Sequence, residues 1–503
     1  MNFFKPVSIQ KKSTDKTKVL LFLVLFGFSF LNLYIVFRNH YSFNTFAYDY
    51  GVYNFAFYDF AHFRVSQCPV YLFPFPITFL QDHFSFALII LSPLYWLLSP
   101  IFGTYTLLFI QTCIIAFGGW ATYKLIFFKS NNYILALLAL LFYFVLLGRF
   151  TAATADCNLA IIGSAMIPVF VYYFERKNVT ATLLCFLFLL ITREDYPLWL
   201  FFISGFLMIV HRKEKFKLKL SALLFVLSII FFIIIFKFII PGFEDENKKY
   251  NLFAFTALGA TPLEALRYFF HDPLRCIELL FINHSKNNYF DGIKLDFYII
   301  YLFSGGFLLL IRPVYLIPFI PLIAKKMYAD DPIRWSSESY YSVEFASTLP
   351  LMLFLIIAGL KKDDTKLPVA ILVCCLTMIM TCKEIYRPAE FHRARLGSPA
   401  KYDLLNKDFY LIDPNVKEIH QALKLIPGNA KVSASSKLLP HLAYREKIYY
   451  YPRVDDAEYI CLFKKDTWPA SQEESDKKLA QLVAEKGWKI LIEKHNFLLL
   501  SNK

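Results

Sequence analysis

The sequence predicts an α-helical polytopic membrane protein of about eleven spans, followed by a small α/β domain. Three observations carry that expectation. Apolar runs near bilayer-crossing length recur from Val19 to Thr381, and one helical crossing takes about 20 apolar residues. Of 503 residues, 57% are hydrophobic and 19% aromatic, more than the surface of a soluble protein tolerates. From about Glu384 onward hydropathy falls, charge rises, and short strand-like and helical patterns replace the long runs.

The net charge of +14 belongs to this picture. Lys and Arg collect in cytoplasmic loops of membrane proteins, and no nucleic-acid-binding motif is present, so a nucleic-acid partner is excluded. The 9 Cys fall mostly inside apolar runs, as Cys113, Cys185, Cys374 and Cys375 do, without CxxC or Cys/His spacing. Zinc and thiol redox chemistry are thereby excluded, and the cysteines read as small apolar filler. Lys5, Lys11, Lys12, Lys16 and Lys18 make the N-terminus basic like a signal peptide. The apolar run after them is too long for one and ends without a small-residue cleavage site, which predicts a retained anchor with a cytoplasmic N-terminus.

Each run then takes its place. Val19–Phe37 crosses outward. A long external loop, 38–103, contains Phe84–Leu98, apolar but broken by Pro93 and bounded by Pro100, which reads as a helix lying in the interface. With that segment not crossing, Thr104–Phe127 runs inward and delivers Lys124 and Lys129 to the cytoplasm. If it crossed, every later basic cluster would land outside, against the positive-inside rule. Tyr133–Leu147 and Leu159–Phe174 follow, with Arg176 and Lys177 inside. Thr180–Thr192 and Tyr196–Val210 bracket Arg193-Glu194-Asp195 outside. His211, Arg212, Lys213, Lys215, Lys217 and Lys219 return inside. Ala222–Ile240 leads out to a second external loop, 241–295. Phe297–Ile311 and Val314–Ala324 form a hairpin with Arg312 at its inner turn, which leaves Lys325 and Lys326 outside as exceptions. Glu344–Leu360 runs inward to Lys361, Lys362 and Lys366, and Leu367–Thr381 returns. The membrane domain is thus 1–383 and the extracytoplasmic α/β domain 384–503. In the latter, Val416–Leu425 and Glu473–Lys486 read as helices. Lys431–Ser435, Ile448–Tyr451 and Tyr459–Phe463 read as strands, and Trp488–Glu493 and Phe497–Ser501 as a closing hairpin. No glycine-rich phosphate loop is present; Pro427-Gly428-Asn429 is a turn.

The chemistry-bearing residues gather in the external loops. Asp49 sits in Phe46-Ala-Tyr-Asp-Tyr-Gly-Val-Tyr53, just past the first span. It reads either as the general base of a surface enzyme or as a residue that ends one helix and caps the next. Arg64 and His83 are candidate partners for a leaving phosphate. Asp82 either caps the interfacial helix or joins the site. Asp59 and His62, one helical turn apart, are two possible metal ligands, too few to define a metal site. A divalent metal is a possible cofactor. Arg193, Glu194 and Asp195 are costly at the end of two short spans unless they meet water or partners, and they read as site residues or as an ion pair with the second loop. Tyr341 and Glu344 lie at the outer mouth of an inward span, where Tyr340 and Tyr341 also suit interface anchors. Arg149 and Asp156 flank an outer turn and read as an ordinary surface turn. Asp330-Asp331 before Pro332 reads as a turn.

Tyr48-Asp49-Tyr50-Gly51-Val52-Tyr53, Asp82-His83-Phe84-Ser85 and Leu91-Ser92-Pro93-Leu94-Tyr95 resemble a family of uncharacterised bacterial multi-span membrane proteins. That family carries an Asp-aliphatic-Gly motif and a His-Phe-Ser-Pro motif at these places; Phe86 stands where the pattern has proline. Ile191-Thr192-Arg193-Glu194-Asp195 resembles its Lys-Glu-Asp element. Val432-Ser433-Ala434-Ser435, Pro440-His441-Leu442 and the stretch from Arg445 to Pro452 resemble its C-terminal segment. The family is in turn similar to the GT-C glycosyltransferases, membrane enzymes that use polyprenyl-phosphate sugars. The resemblance implies a bacterial inner-membrane location. It also implies an acid in the first external loop, matched by Asp49, a polyprenyl-phosphate sugar donor, and a glycan, lipid or protein acceptor. Gln81-Asp82-His83 matches the polar stretch where some members place a lysine for the lipid phosphate. Here no lysine stands, and His83 or Arg64 takes its place, or the donor differs. Two other classes stay open: a transporter or flippase for lipid-linked glycans, which would show mid-bilayer charges or repeats, and a non-catalytic envelope scaffold, in which Asp49 would be replaceable.

Overall fold

The computed structural model describes residues 15–68, 70–71, 77–244, 253–387, 401–467, 470–485 and 487–503. Lys5, Lys11, Lys12 and Lys486 lie outside them. The first run forms α1 (Asp15–Tyr41), which at 1.5 Å per residue is about 40 Å long. The first loop holds α2 (Val52–Ala61), a two-stranded ribbon of β1 (Gln67–Cys68) and β2 (Ile77–Thr78), and α3 (Phe79–Asp82). The segment Phe84–Leu98 is broken, into α4 (Ala87–Leu91) and α5 (Leu94–Phe102), with Ile90, Trp96, Leu97 and Ile101 exposed. The bundle continues with α6 (Thr106–Ser130), α7 (Tyr133–Val145), α8 (Leu147–Thr151), α9 (Leu159–Glu175), α10 (Val179–Leu190), α11 (Tyr196–Val210), α12 (Lys215–Ile234) and α13 (Ile240–Phe243). The second loop carries α14 (Pro262–His271) and α15 (Pro273–Leu279). Then come α16 (Ile293–Phe303), α17 (Ile320–Met327), α18 (Val343–Ala358) and α19 (Asp363–Ile385).

All the apolar runs are helical, but not all are span-length. Among the described residues, five helices are long and apolar enough to cross a bilayer, or six if the pair bent by 46° at Leu146 is one span. Helices α9, α10 and α11 are apolar but only 17, 12 and 15 residues long. The expected hairpin at 297–324 breaks up most. Gly305 and Gly306 end α16, and Pro313, Pro318 and Pro321 leave two 3-10 stretches, Gly306–Ile311 and Pro313–Phe319, before α17. Proline removes a ladder donor and clashes with the preceding turn, so a uniform α-helix cannot form there. Five or six helices of crossing length thus stand among the described residues, where the sequence predicts about eleven spans.

Packing follows the pattern of small residues. Helix α18 is apolar all round and every one of its residues is buried, which makes it the centre of the bundle. On α6, a Cβ at Gly118 would stand 2.3 Å from the carbonyl oxygen of Ala165 on α9. Glycine there lets the two backbones touch, as in close-packed membrane helices.

Beyond residue 401 come α20 (Lys407–Tyr410), α21 (Val416–Leu423), α22 (Leu439–Leu442), α23 (Gln472–Glu485) and a five-stranded sheet. Strands β3 (Val432–Ala434), β4 (Ile448–Tyr450), β5 (Tyr459–Phe463), β6 (Lys489–Lys494) and β7 (Phe497–Ser501) are ordered β4-β3-β5-β7-β6. The first three are parallel, and β7 runs antiparallel to β5 and β6. One face of this sheet joins the core of the helix bundle through Val432, Ala434, Cys461 and Leu499. The other packs Leu482 and Trp488 against Ile460 and Leu500.

The C-terminal region is seated on the end of α1. Arg38 donates to the Leu411 carbonyl (3.0 Å), Asn39 to the Lys401 carbonyl (2.8 Å), and His420 Nε2 meets the Tyr41 carbonyl at 2.9 Å. The rings of His40 and His441 stack at 3.9 Å, and His420 stands edge-on to His441 at 5.3 Å. Burial, with His40 and His420 alongside, holds His441 well below the ordinary imidazole range. Burial lowers His420 too, against its bond to Tyr41, and Lys424 adds to the effect. The undocked state therefore binds more protons below about pH 6.5, so docking is fully stable above that value and weakens as pH falls. Limited proteolysis of residues 401–503 is expected to accelerate from about pH 7.5 to about pH 5. His441→Phe, which keeps the stacked ring, is expected to flatten part of that dependence, with the buried His420 and its neighbours supplying the rest.

Candidate functional site

The site begins with a local irregularity. After α1 the chain makes one π turn, Ala47–Gly51, before entering α2, and single π turns cluster at functional positions. Two anchors hold this turn. On one side Tyr50 Oη donates to the Thr104 carbonyl (2.6 Å) and Asn54 Nδ2 to the same oxygen (3.0 Å). On the other, Ala47 N–H meets Ser436 Oγ (3.3 Å) and Asn54 reaches the Pro440 carbonyl (3.3 Å). A Cβ on Gly51 would stand 2.5 Å from Leu439 Cδ2, so glycine here admits α22 against the turn. This gives Gly51 its physical reason.

Asp49 is half-buried on that turn. Among the described residues nothing donates a hydrogen bond to its carboxylate. Burial raises it above the usual carboxylate range, with Lys401 and His83 opposing. His83 is oriented by its neighbours. Its Nδ1 lies 3.0 Å from Asp82 Oδ2 and 3.3 Å from Tyr71 Oη, and its ring stacks on Phe79 and stands edge-on to Tyr53. An Nδ1–H donated to Asp82 leaves Nε2 as an acceptor, the arrangement of an oriented acid–base histidine. Asp82 is thus the last residue of α3 and not the cap of the interfacial helix, since α4 begins only at Ala87 with Phe86 before it.

The second half of the site is a half-buried ion network around the buried Glu344. Lys325 Nζ, near the end of α17, lies 2.7 Å from both Asp195 Oδ2 and Glu344 Oε1. Arg193 approaches Asp195 (3.4 Å), Glu194 (3.9 Å) and Glu344 (4.0 Å). Burial pulls Asp195 upward, but Arg193 and Lys325 outweigh it and hold that carboxyl below its usual range. Glu194 goes the other way: burial and the charge of Asp195 prevail over Arg193 and His83 and raise it. Adjacent carboxyls pushed apart in this way separate a proton holder from a fixed counter-ion. Lys326 is buried and donates to the Ser336 carbonyl (2.5 Å) and Ser342 Oγ (3.1 Å). It pins the segment that carries Tyr340 and Tyr341, whose rings lie 4.1 Å apart with the Arg334 guanidinium over Tyr341.

Two further groups complete the surroundings. Lys401 Nζ pairs with Asp156 at 3.0 Å and lies over the Phe46 ring. Burial pushes Asp156 up to about 6, against Lys401 and with the charge of Asp49 adding. Arg149 stacks on Tyr143 at 4.0 Å and donates to Ser347 Oγ at 2.5 Å. Arg149 and Asp156 are both buried, which corrects the expectation of a plain surface turn. Exposed charges at a turn would need no partners, whereas each of these has one.

Of the residues picked out from sequence, Asp49, Asp82, His83, Arg193, Glu194, Asp195, Tyr341 and Glu344 lie at this end of the bundle. Arg64 does not act on Asp49; its Nε donates to Asp59 at 2.9 Å and its Nη1 lies 3.8 Å from Glu446. Asp59 also accepts from Ser66, and His62 Nδ1 meets the Tyr58 carbonyl, so neither is turned toward a shared metal. Among the described residues no three His, Cys, Asp or Glu side chains form a group able to hold a metal ion. An open groove of about 480 Å³ lies apart from Asp49, at the end of α1, lined by Tyr34, Phe37, Arg38, Tyr41, Tyr105, Tyr410 and Ile412. Sequence reasoning missed Lys401, which follows Asp49 at a distance no local pattern spans, and Tyr53 and Tyr71. It did flag Lys325 and Lys326, as exceptions to loop charge, and that exception was the signal of a buried role.

The chain belongs to the family described as predicted membrane protein (DUF2079), whose pattern matches residues 39–499. No curated protein matches it.

Glu344 is buried, and without Lys325 no cation lies closer to its carboxylate among the described residues than Arg193, at 4.0 Å. Lys325→Met is expected to destabilise the protein by about 3–5 kcal/mol, as loss of one partner of a buried pair does. Adding Glu344→Gln should recover part of that loss in a thermal-unfolding double-mutant cycle.

Proposed function

We propose that this protein is a membrane glycosyltransferase of GT-C type. It moves a sugar from a polyprenyl-phosphate donor to an envelope glycan, lipid or protein acceptor on the outer face of a bacterial inner membrane. The observation that carries the reading is Asp49, a half-buried carboxylate without a hydrogen-bond donor among the described residues, at the end of the first span. A structural carboxylate in such a place would be bonded, as Asp59, Asp156 and Asp195 are. Asp49 is kept free to accept a proton.

In this reading an acceptor hydroxyl attacks the anomeric carbon, its proton passes to Asp49, and the bond from that carbon to the phosphate oxygen breaks with inversion. The lipid phosphate leaves as an anion, which Lys401 and Arg193 meet with positive charge, while His83 stands beside them as an oriented imidazole. Glu194, Asp195, Tyr341 and Glu344 contact the acceptor or hold those that do. Arg64, committed to Asp59, supports the first loop. The exposed apolar residues of α4 and α5 border the path by which the lipid chain stays in the bilayer. The shorter helices α9, α10 and α11 and the segment 293–327 complete the crossings, with the N-terminus cytoplasmic and the C-terminal domain outside.

Membranes containing the protein are expected to consume a radiolabelled polyprenyl-phosphate sugar, and equally expressed Asp49→Asn to lose about 10²–10⁴-fold of that turnover, the usual contribution of a general base. Equal behaviour of the two proteins would overturn the reading. Because the Asp49 pKa is raised, kcat/KM is expected to fall on acidification at a pH above the ordinary carboxylate value of about 3.9. Lys401 opposes that rise, so Lys401→Met should move the acid limb to still higher pH.

A further inference from the structure

We propose that α14 and α15 form an amphipathic hairpin bedded in the lipid leaflet on the Asp49 side of the membrane, bracing the segment that leads into the site. The proposal needs only that the chain is a membrane protein and does not rest on the transferase reading.

The apolar surface comes first. Leu263, Leu266 and Phe270 on α14 recur at i, i+3 and i+7, and Leu274, Ile277 and Phe281 repeat the spacing through α15 and just beyond it. All six are exposed, Phe270 at 82% and Leu274 at 78%. A row at this spacing forms one face of a helix. It is not the face used for packing, because Ala265, Cys276 and Leu279 turn inward onto Leu258 and Tyr328. Glu264, Arg267 and His271 supply a polar row at the same spacing on α14.

Depth supplies the occupant. Tyr328, just past α17, donates to the Cys276 carbonyl (2.9 Å). Lys294, in the first turn of α16, donates to the Leu279 carbonyl (2.6 Å), and Tyr298 to the Leu280 carbonyl (3.3 Å). The hairpin is therefore tied at the level where α16 and α17 end on the Asp49 side. Below that level α16 exposes Leu295, Leu302 and Phe303, an outward apolar surface for a membrane helix. The apolar row is continuous with it through Phe281, whose ring lies 5.1 Å from that of Tyr298. An amphipathic helix at such a level lies in the interface with its apolar face among acyl chains. The same contacts reach the site. His284 Nε2 and Trp335 Nε1 both meet the Ala329 carbonyl, and Asp330 accepts from the N–H and hydroxyl of Thr256, each at 2.8 Å. Cys276 on α15, with Thr256 and His284 on the flanking stretches, thus ties this loop to the chain between Lys326 and Ser336.

The test places the photoreactive residue p-benzoylphenylalanine at position 270 or 274 of the full chain in native membranes and identifies the adducts by mass after irradiation. Phospholipid adducts at the yield given by the same probe at Phe26, on the exposed face of α1, and well above the yield at Leu491 on the C-terminal sheet, are the expected result. Adducts to another protein or to a second copy of the chain would overturn the proposal, and so would a yield no higher than at Leu491. Positions 270 and 274 are exposed, so the probe leaves the fold intact and each outcome decides.

Discussion

The arrangement depends on one lysine. Five charged groups, Arg193, Glu194, Asp195, Lys325 and Glu344, share the mouth of the helix bundle, and Glu344 is almost fully enclosed. Taking charges out of water costs several kcal/mol each unless they are paired in good geometry. Lys325 meets that requirement by lying between two carboxylates contributed by different helices. It thereby ties the α10–α11 turn, the end of α17 and the start of α18 into one unit. The neighbouring Lys326 then holds the segment from Ser336 to Ser342.

A second network closes the opposite end of the bundle. Glu175, at the end of α9, is met by Lys129 at 2.6 Å, Lys217 at 2.5 Å and His211 Nε2 at 2.8 Å. The two networks have different characters. Around Glu175 three basic groups converge on one acid, which makes a staple between α6, α9, α11 and α12. Around Lys325 acids outnumber bases, and Asp49 and Glu194 are both raised by burial. The carboxyls raised toward proton exchange thus stand at the Asp49 end.

Much of this was legible in the sequence. Uncharged runs such as Val19–Phe37 announce helices because a buried backbone has no other way to satisfy its polar groups. The C-terminal strands were legible too, since Tyr459–Phe463 and Phe497–Ser501 are short, apolar and bounded by turns. The length of the helices was not. Pro313, Pro318 and Pro321 divide an apolar run that hydropathy alone reads as two spans. The site was half visible. Asp49 and Arg193-Glu194-Asp195 stand out as charges beside spans, and their spatial union could not be read. Lys401 and Asp156 escaped because their importance lies in a contact between distant segments. Arg149 escaped because its stacking on Tyr143 removes it from a surface that the pattern alone would assign to it.

The seating of α22 on the Asp49 turn bears on how the protein is made. Asn54 and Pro440, joined by one hydrogen bond, are 386 positions apart. During synthesis the first span and its loop reach the bilayer long before Ser436 and Leu439 leave the ribosome. Until then the Asp49 turn has only its anchor at Thr104, and the carboxylate has no fixed surroundings. Nascent chains and products truncated before residue 436 are thus built without a formed centre.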